Sequence, residues 1–92
     1  SITIDSALMK EADLLEGEKV LVADITNGER IETYVISAEA GSGTICMNGA
    51  AAHKVRIGDI VIIMAFALME DDAAYAHKAK KIIVNENNKV LS

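Results

Sequence analysis

Ser1 is the residue with the clearest chemical potential in this chain of 92 residues. A serine hydroxyl can attack the peptide carbonyl beside it, so self-cleaving precursors commonly leave serine, threonine or cysteine at the new terminus, where it can become a catalytic group. Removal of an initiator methionine, a serine left by cloning, or a sequence that starts late would give the same first residue. The residues downstream have to decide between these alternatives.

An arginine and a phenol follow on one predicted strand face. Regular alternation of side chains places Arg30, Glu32 and Tyr34 on the same side of a strand and Thr33 on the other. The guanidinium is a planar fork of donors suited to a carboxylate. A phenol stays protonated at neutral pH and can deliver a proton to a developing carbanion. The alternative is an exposed arginine paired with Glu32, a tyrosine packed with its hydroxyl at the rim, and Thr33 as an ordinary strand former.

Residues 48–53, with the sequence NGAAAH, form the second unusual stretch. The four successive side chains of residues 49–52 are small enough for a ligand to lie against the backbone N–H groups, and Asn48 adds a side-chain donor and acceptor. The alternative is a type I′ turn followed by a tightly packed helical turn. His53 and His77 have no cysteine or histidine at ligand spacing, so no metal site is predicted. Cys46, on a predicted strand, is expected to be a buried thiol.

Composition excludes several classes of partner. The net charge is −5, and three aromatic residues are too few for a base-stacking platform, so nucleic acid is not expected. No apolar stretch reaches the length of a membrane helix, and no leader-like segment precedes the fold. A single cysteine suits a reducing cytoplasm. An apolar content of 51% exceeds what so small a core can hide, which predicts an oligomer.

The hydrophobic pattern predicts one β-rich domain over residues 1–92, most simply a barrel with two small helices. A strand over residues 1–5 leads into a helix capped by Asp5 or Ser6, which stops at Gly17 and buries one face that includes Leu15. Strands over residues 20–25 and 30–38 flank Asn27-Gly28, a signal for a type I′ hairpin. A turn over residues 41–43 leads to a strand over 44–48.

The secondary structure of the second half of the chain is predicted from residue composition more than from the periodicity of its apolar residues. Residues 60–68 are almost unbroken in apolar character, which predicts a central strand covered on both faces. Residues 70–78 are charged and alanine-rich and predict a short surface helix. Residues 81–84 and 89–91 flank an asparagine-rich turn and predict a final hairpin.

Five stretches, in this order after Ser1, resemble the large alpha chain of the pyruvoyl-dependent aspartate 1-decarboxylases. They are residues 17–20 (GEKV), 25–30 (ITNGER), 33–34 (TY), 45–52 (ICMNGAAA) and 58–63 (GDIVII). The resemblance implies a six-stranded double-psi β-barrel with short helices, completed by a short upstream beta chain from the same precursor. It also implies a homotetramer of alpha and beta protomers with active sites between subunits.

The resemblance further implies the chemistry. The precursor, a zymogen, cuts itself before Ser1, and the serine becomes a covalent N-terminal pyruvoyl group, the only cofactor expected. L-aspartate forms a Schiff base with that ketone and loses carbon dioxide to give β-alanine for pantothenate and coenzyme A synthesis. Tyr34 resembles the proton donor and Arg30 the carboxylate binder. Thr33 resembles a residue that positions the scissile bond and contacts ligand, Asn48 is a polar neighbour of the pyruvoyl, and the segment along the substrate consists of Gly49, Ala50 and Ala51.

Two other functions remain open at this point. Ser1 can act as a free N-terminal nucleophile with its own α-amine as base, as in some amidohydrolases. A small barrel can also be a non-enzymatic oligomeric binding module, for which the Asn27-Gly28 and Gly58-Asp59 turns are pure architecture.

Overall fold

The computed structural model describes all residues from Ser1 to Ser92 and contains five strands in one sheet. The strand order is β4-β1-β3-β2-β5, in which β1 and β3 are parallel and the other pairs antiparallel. The sheet is curled into a half-barrel, so the predicted mainly β class is confirmed and the architecture is consistent with a double-psi β-barrel. The elements are β1 Ile2–Asp5, α1 Ser6–Ala12, β2 Lys19–Asp24, β3 Arg30–Ala38, β4 Ile45–Met47, a 3-10 turn Gly49–His53, β5 Val61–Met64 and α2 Asp71–Ala76.

Strand β3 is the centre of the sheet and matches its predicted bounds. Its side chains alternate, with Ile31, Thr33 and Val35 facing inward and Arg30, Glu32 and Tyr34 outward. The inner face packs against the apolar residues of β1, β2 and α1. The buried core consists of Ile2, Ile4, Met9, Val20, Val22 and Val35. Branched aliphatic residues predominate because they fill a pleated sheet surface well.

Helix α1 is shorter than predicted. Asp5 caps its first turn by accepting a hydrogen bond from the Ala7 N–H at 2.8 Å, as expected. The helix ends at Ala12 because Asp13 adopts a left-handed conformation with φ 59°. The predicted stop at Gly17 was therefore wrong, and Leu15 lies outside the helix with 73% of its surface exposed.

The hairpin between β2 and β3 exists, but its turn is not the predicted type I′. Gly28 has φ 80°, whereas Asn27 does not have a positive φ. The carboxylate of Asp24 accepts hydrogen bonds from the N–H groups of Thr26 and Asn27, which curls the chain into a wider turn. Asp24 thus organises the loop that delivers Arg30 to the start of β3.

The apolar segment 60–68 is not a central strand. Only Val61–Met64 is extended in the sheet, at its edge, where it pairs with β2 alone. Ile60, Phe66 and Leu68 expose 66%, 73% and 105% of their surfaces. These side chains therefore form an exposed apolar surface and are not part of the core of this chain.

Asp5 joins the ends of β1 and β4. Its buried carboxylate accepts hydrogen bonds from the N–H groups of Gly41 and Gly43 as well as from that of Ala7. The pKa of Asp5 is lowered, chiefly by the hydrogen bond from the Gly43 N–H. Burial opposes this shift, and the hydrogen bonds from Ala7 and Gly41 and the charge of Lys89 add to it. This contact fixes the predicted turn at 41–43 and so sets the position of β4 beside β1.

The C-terminal third adds little buried surface. Helix α2 lies on the surface, as predicted, and a single bridge between Val84 and Val90 forms the final hairpin. No helix of the chain is long and apolar enough to span a bilayer.

Candidate active site

Ser1 and Asn48 face each other as the last pair of the β1–β4 ladder. The Asn48 N–H donates to the Ser1 carbonyl at 2.8 Å, and the Ser1 amine donates to the Asn48 carbonyl at 3.4 Å. These reciprocal bonds extend the antiparallel register in which Ile2 pairs with Met47. Ser1 is half-buried, so residue 1 is held at a defined place in the sheet.

The Asn48 side chain makes three further contacts on this face. Its Nδ2 donates to Ser1 Oγ at 3.1 Å and to Thr3 Oγ1 at 2.8 Å. Its Oδ1 accepts from Cys46 Sγ at 3.5 Å. Cys46 is exposed, so the prediction of a buried thiol was wrong. The side chain points outward because Cys46 pairs with Thr3, and both stand on the opposite face from the buried Ile2 and Ile4.

Tyr34 reaches the same level and the same face through β3. Ile2 pairs with Val35 in the parallel β1–β3 ladder, so the residues that precede them, Ser1 and Tyr34, lie side by side. Tyr34 exposes 52% of its surface, and its hydroxyl makes no hydrogen bond within the chain. The phenol is open to an incoming group, and the same exposure fits the alternative of a tyrosine packed with its hydroxyl at the rim.

Arg30 shares the outer face of β3 but is its first residue, whereas Tyr34 lies at the middle of the strand. Four residues of extended chain separate its Cα from that of Tyr34, a distance of about 13 Å. Arg30 has no ion-pair partner, because Glu32 pairs with Lys19 instead, at 3.0 Å. The predicted pairing of Arg30 with Glu32 is therefore absent, and the guanidinium is available for an external carboxylate.

Thr33 is a second predicted site residue, after Arg30, that the chain does not bring to this cluster. It is half-buried on the inner face of β3, opposite Val20, as alternation predicts. Its hydroxyl and the Tyr34 phenol therefore point to opposite sides of the sheet.

The segment after Asn48 forms a single 3-10 turn. Gly49 has φ 61° and leads the chain out of β4, while Ala51 is buried with 2% of its surface exposed. The side chain of Ala51 anchors the turn, and Gly49 and Ala50 remain exposed. A ligand beside residues 49–52 meets only backbone and methyl groups.

A carboxyl pair lies beneath the β2–β3 turn, on the Arg30 side of the sheet. The pKa of Asp24 is raised above its ordinary value, mainly by burial and next by a hydrogen bond with Asp59. Its Oδ2 is buried without an N–H donor. The hydrogen bond with Asp24, followed by the Arg56 N–H, lowers the pKa of Asp59. Asp24 therefore keeps a proton longer than Asp59 as the pH rises.

No group of three or more metal-ligating side chains occurs in the chain. The residues that the sequence prediction missed are Thr3 and Cys46. A signal was present, because Thr3 lies two residues from Ser1 and Cys46 two residues from Asn48, and side chains two apart on a strand share a face.

Comparison with known proteins gives a consistent result. A family model described as aspartate decarboxylase matches residues 1–91. The aspartate 1-decarboxylase of Caldicellulosiruptor bescii is 55% identical over 91 residues, which cover 99% of this chain and 71% of the relative. That of Thermoanaerobacter pseudethanolicus is 56% identical over 92 residues, covering 100% and 79%. That of Corynebacterium efficiens is 52% identical over 92 residues, covering 100% and 68%. The chain therefore belongs to the aspartate decarboxylase family.

Proposed function

We propose that this chain is the larger, alpha subunit of a carboxy-lyase that converts L-aspartate to β-alanine and carbon dioxide, the step that supplies pantothenate synthesis. The observation that carries the proposal is the contact of Asn48 with Ser1 through both backbone and side chain, in a chain that matches this family over almost its whole length. The other two candidate functions, an amidohydrolase and a binding module, find no support in the comparisons.

We further propose that Ser1 is the parent of a covalent pyruvoyl group formed by self-cleavage of a precursor. The surroundings of Ser1 fit that group. The carbonyl of residue 1, which the pyruvoyl group retains, accepts a hydrogen bond from the Asn48 N–H at 2.8 Å, and only the small Gly49 and Ala50 follow Asn48. A pyruvoyl group supplies a ketone that condenses with the substrate amine and accepts the electron pair released when the carboxylate leaves.

The roles of the other residues follow from their placement. Tyr34 stands beside residue 1 with an unpaired hydroxyl, which suits it to protonate the substrate carbon after carbon dioxide leaves. Arg30 is the free cation of the same face and would bind a substrate carboxylate. Asn48 orients residue 1, and the backbone of Gly49, Ala50 and Ala51 would border the substrate.

The site is proposed to be completed between subunits. Arg30 lies about 13 Å from Tyr34 along β3, and Thr33 faces the other side of the sheet, so one protomer does not converge these residues on one ligand. Only nine of the 92 residues are buried, which leaves apolar surface for the upstream beta chain and for a homotetramer. In such an assembly, Thr33 serves a different site from Tyr34 of the same chain. The proposal places the enzyme in the cytoplasm, in keeping with its free thiol.

Reduction with borohydride in the presence of L-aspartate tests this function. The mature alpha and beta complex is expected to lose activity and to gain one substrate-derived adduct at residue 1, located by peptide mass spectrometry. Borohydride without aspartate is the control and should reduce the ketone without adding substrate mass. Absence of both the adduct and carbon dioxide release would refute the proposed function.

A further inference from the structure

We propose that Thr3 and Cys46 are positioning residues that hold the Asn48 side-chain amide against Ser1 and thereby set the rate of self-cleavage. The inference rests on the proposed formation of the mature chain by cleavage before Ser1. Neither residue touches the scissile bond, and each acts through Asn48.

The conformation of Asn48 is the first support. Asn48 occupies the N-cap position of the 3-10 turn Gly49–His53, where an asparagine side chain ordinarily accepts a hydrogen bond from an N–H of the first turn. Here it makes no such capping bond. The amide is turned back toward β1, so contacts in that direction determine its orientation.

Thr3 provides the closer of the two contacts with Nδ2. The distance from Asn48 Nδ2 to Thr3 Oγ1 is 2.8 Å, against 3.1 Å to Ser1 Oγ. Thr3 is also part of the ordered β1–β4 ladder, in which Cys46 is its Cα partner. The Thr3 hydroxyl is therefore a fixed acceptor that orients the Asn48 amide toward Ser1 Oγ.

Cys46 defines which end of the amide faces which neighbour. A thiol S–H is a donor and an amide oxygen is an acceptor, so the Sγ to Oδ1 contact of 3.5 Å directs Oδ1 toward β4. Nδ2 is then directed toward the two hydroxyls of Thr3 and Ser1. Two neighbouring strands thus supply one partner each for the same side chain.

The consequence concerns the rotamer of Ser1. In self-cleavage, Ser1 Oγ forms a bond to the carbonyl carbon of the preceding residue, the C–N bond of that peptide breaks, and the hydroxyl proton passes to the released amine. The product is an ester isomer of the peptide, in which the chain is still continuous. Elimination then breaks the bond between the ester oxygen and Ser1 Cβ with loss of the Cα proton, which releases the upstream chain as a carboxylic acid and leaves dehydroalanine at residue 1, so separation of the chains needs no co-reactant. Donation from Nδ2 selects one orientation of the Ser1 hydroxyl, and such preselection accelerates an intramolecular attack.

The experiment follows cleavage of the full precursor by mass spectrometry, which measures the step before any decarboxylation. Thr3→Val removes the acceptor with little change of shape, and Thr3→Ser retains it. Cys46→Ala removes the donor, and Cys46→Ser retains one. The matched control is Thr44→Val, because the Thr44 hydroxyl makes no hydrogen bond and the residue lies just before β4.

We expect Thr3→Val to slow the first-order cleavage rate about tenfold and Cys46→Ala about threefold, as for the loss of a strong and a weak hydrogen bond. Thr3→Ser, Cys46→Ser and Thr44→Val should stay within about 1.5-fold of the wild type, since the hydrogen bond is kept or was never made. A purely structural role for Thr3 would not give rescue by serine.

The outcomes separate this inference from the function on which it rests. A wild-type precursor that neither cleaves nor decarboxylates would overturn the proposed function itself. A wild-type precursor that cleaves, with Thr3→Val and Cys46→Ala equally fast, would overturn the inference alone. If circular dichroism shows that Thr3→Val fails to fold, the exposed Cys46 pair decides, and equal rates for Cys46→Ala and Cys46→Ser would count against the proposal.

Discussion

Tyr34→Phe is the substitution in which the structure separates activity from stability most clearly. The phenol is 52% exposed and its hydroxyl has no hydrogen-bond partner, so its removal leaves no buried polar group unpaired. We expect the free energy of unfolding to change by less than about 0.5 kcal/mol. For a domain of this size, the midpoint of thermal unfolding should shift by less than about 4 °C.

The effect on turnover should be large because the proposed proton donor is lost. A positioned general acid contributes about 10² to 10⁴ in rate, which corresponds to roughly 2.7 to 5.4 kcal/mol of barrier. The assay is release of carbon dioxide from L-aspartate, with kcat normalised to the fraction of chains that carry the pyruvoyl group. KM should change by less than about threefold, because the hydroxyl acts after the substrate is bound.

Two controls make this prediction sharp. Tyr75→Phe removes the hydroxyl of the other tyrosine, which is 91% exposed on α2, and should leave kcat unchanged. Self-cleavage of the Tyr34→Phe precursor should proceed as in the wild type. Full pyruvoyl content together with kcat within about threefold of the wild type would refute the assignment of Tyr34 as proton donor.

Three other predictions concern the binding face and the turns that position it. Arg30→Ala should raise KM for L-aspartate about tenfold or more without lowering the unfolding midpoint, because the guanidinium makes no ion pair in the fold; steady-state kinetics would contradict this if KM were unchanged. Asp24→Asn should raise the midpoint of thermal unfolding at pH 7 but not at pH 3. The pKa of Asp24 is raised in the folded state, so the wild type loses stability as the pH rises through that pKa, whereas asparagine stays neutral. Calorimetry that shows no gain at pH 7 would refute this. Gly43→Ala should destabilise the fold more than Gly41→Ala. Both glycines have positive φ, which costs an alanine about 1–2 kcal/mol, but only at Gly43 would the new Cβ lie 2.8 Å from the Asn87 carbonyl oxygen. Urea titrations that give equal losses of stability would contradict the structure.

The sequence predicted β3 well because two independent signals agreed there. Alternation from Arg30 to Ile36 is regular, and the turn residues before it mark where the strand must begin. The same alternation placed Arg30 and Tyr34 together and Thr33 opposite, as the structure has them. Local pattern was sufficient because each of these placements depends on a single strand.

The edge strand β5 was mispredicted for a physical reason. An apolar run indicates that its side chains are covered, but not whether the cover comes from the same chain. Ile60, Phe66 and Leu68 are exposed in this chain, so the apolar run here does not correspond to a strand that the chain itself covers. Apolar composition therefore led to a central strand where the fold has an edge.

Thr3 and Cys46 were missed because their importance depends on pairing between strands. Each is unremarkable alone, a strand-forming threonine and a small thiol. The register of β1 against β4 makes them partners and brings both to Asn48. That register is set by the Asp5 contacts with Gly41 and Gly43, which lie too far apart in sequence for a local pattern to show.

Intact mass spectrometry of residue 1 in catalytically active protein tests the central claim most directly. We predict a chain lighter than the serine form by one molecule of ammonia, in proportion to activity, and a terminus that resists Edman degradation. Fully active protein in which residue 1 remains an unmodified serine with a free amine would contradict it.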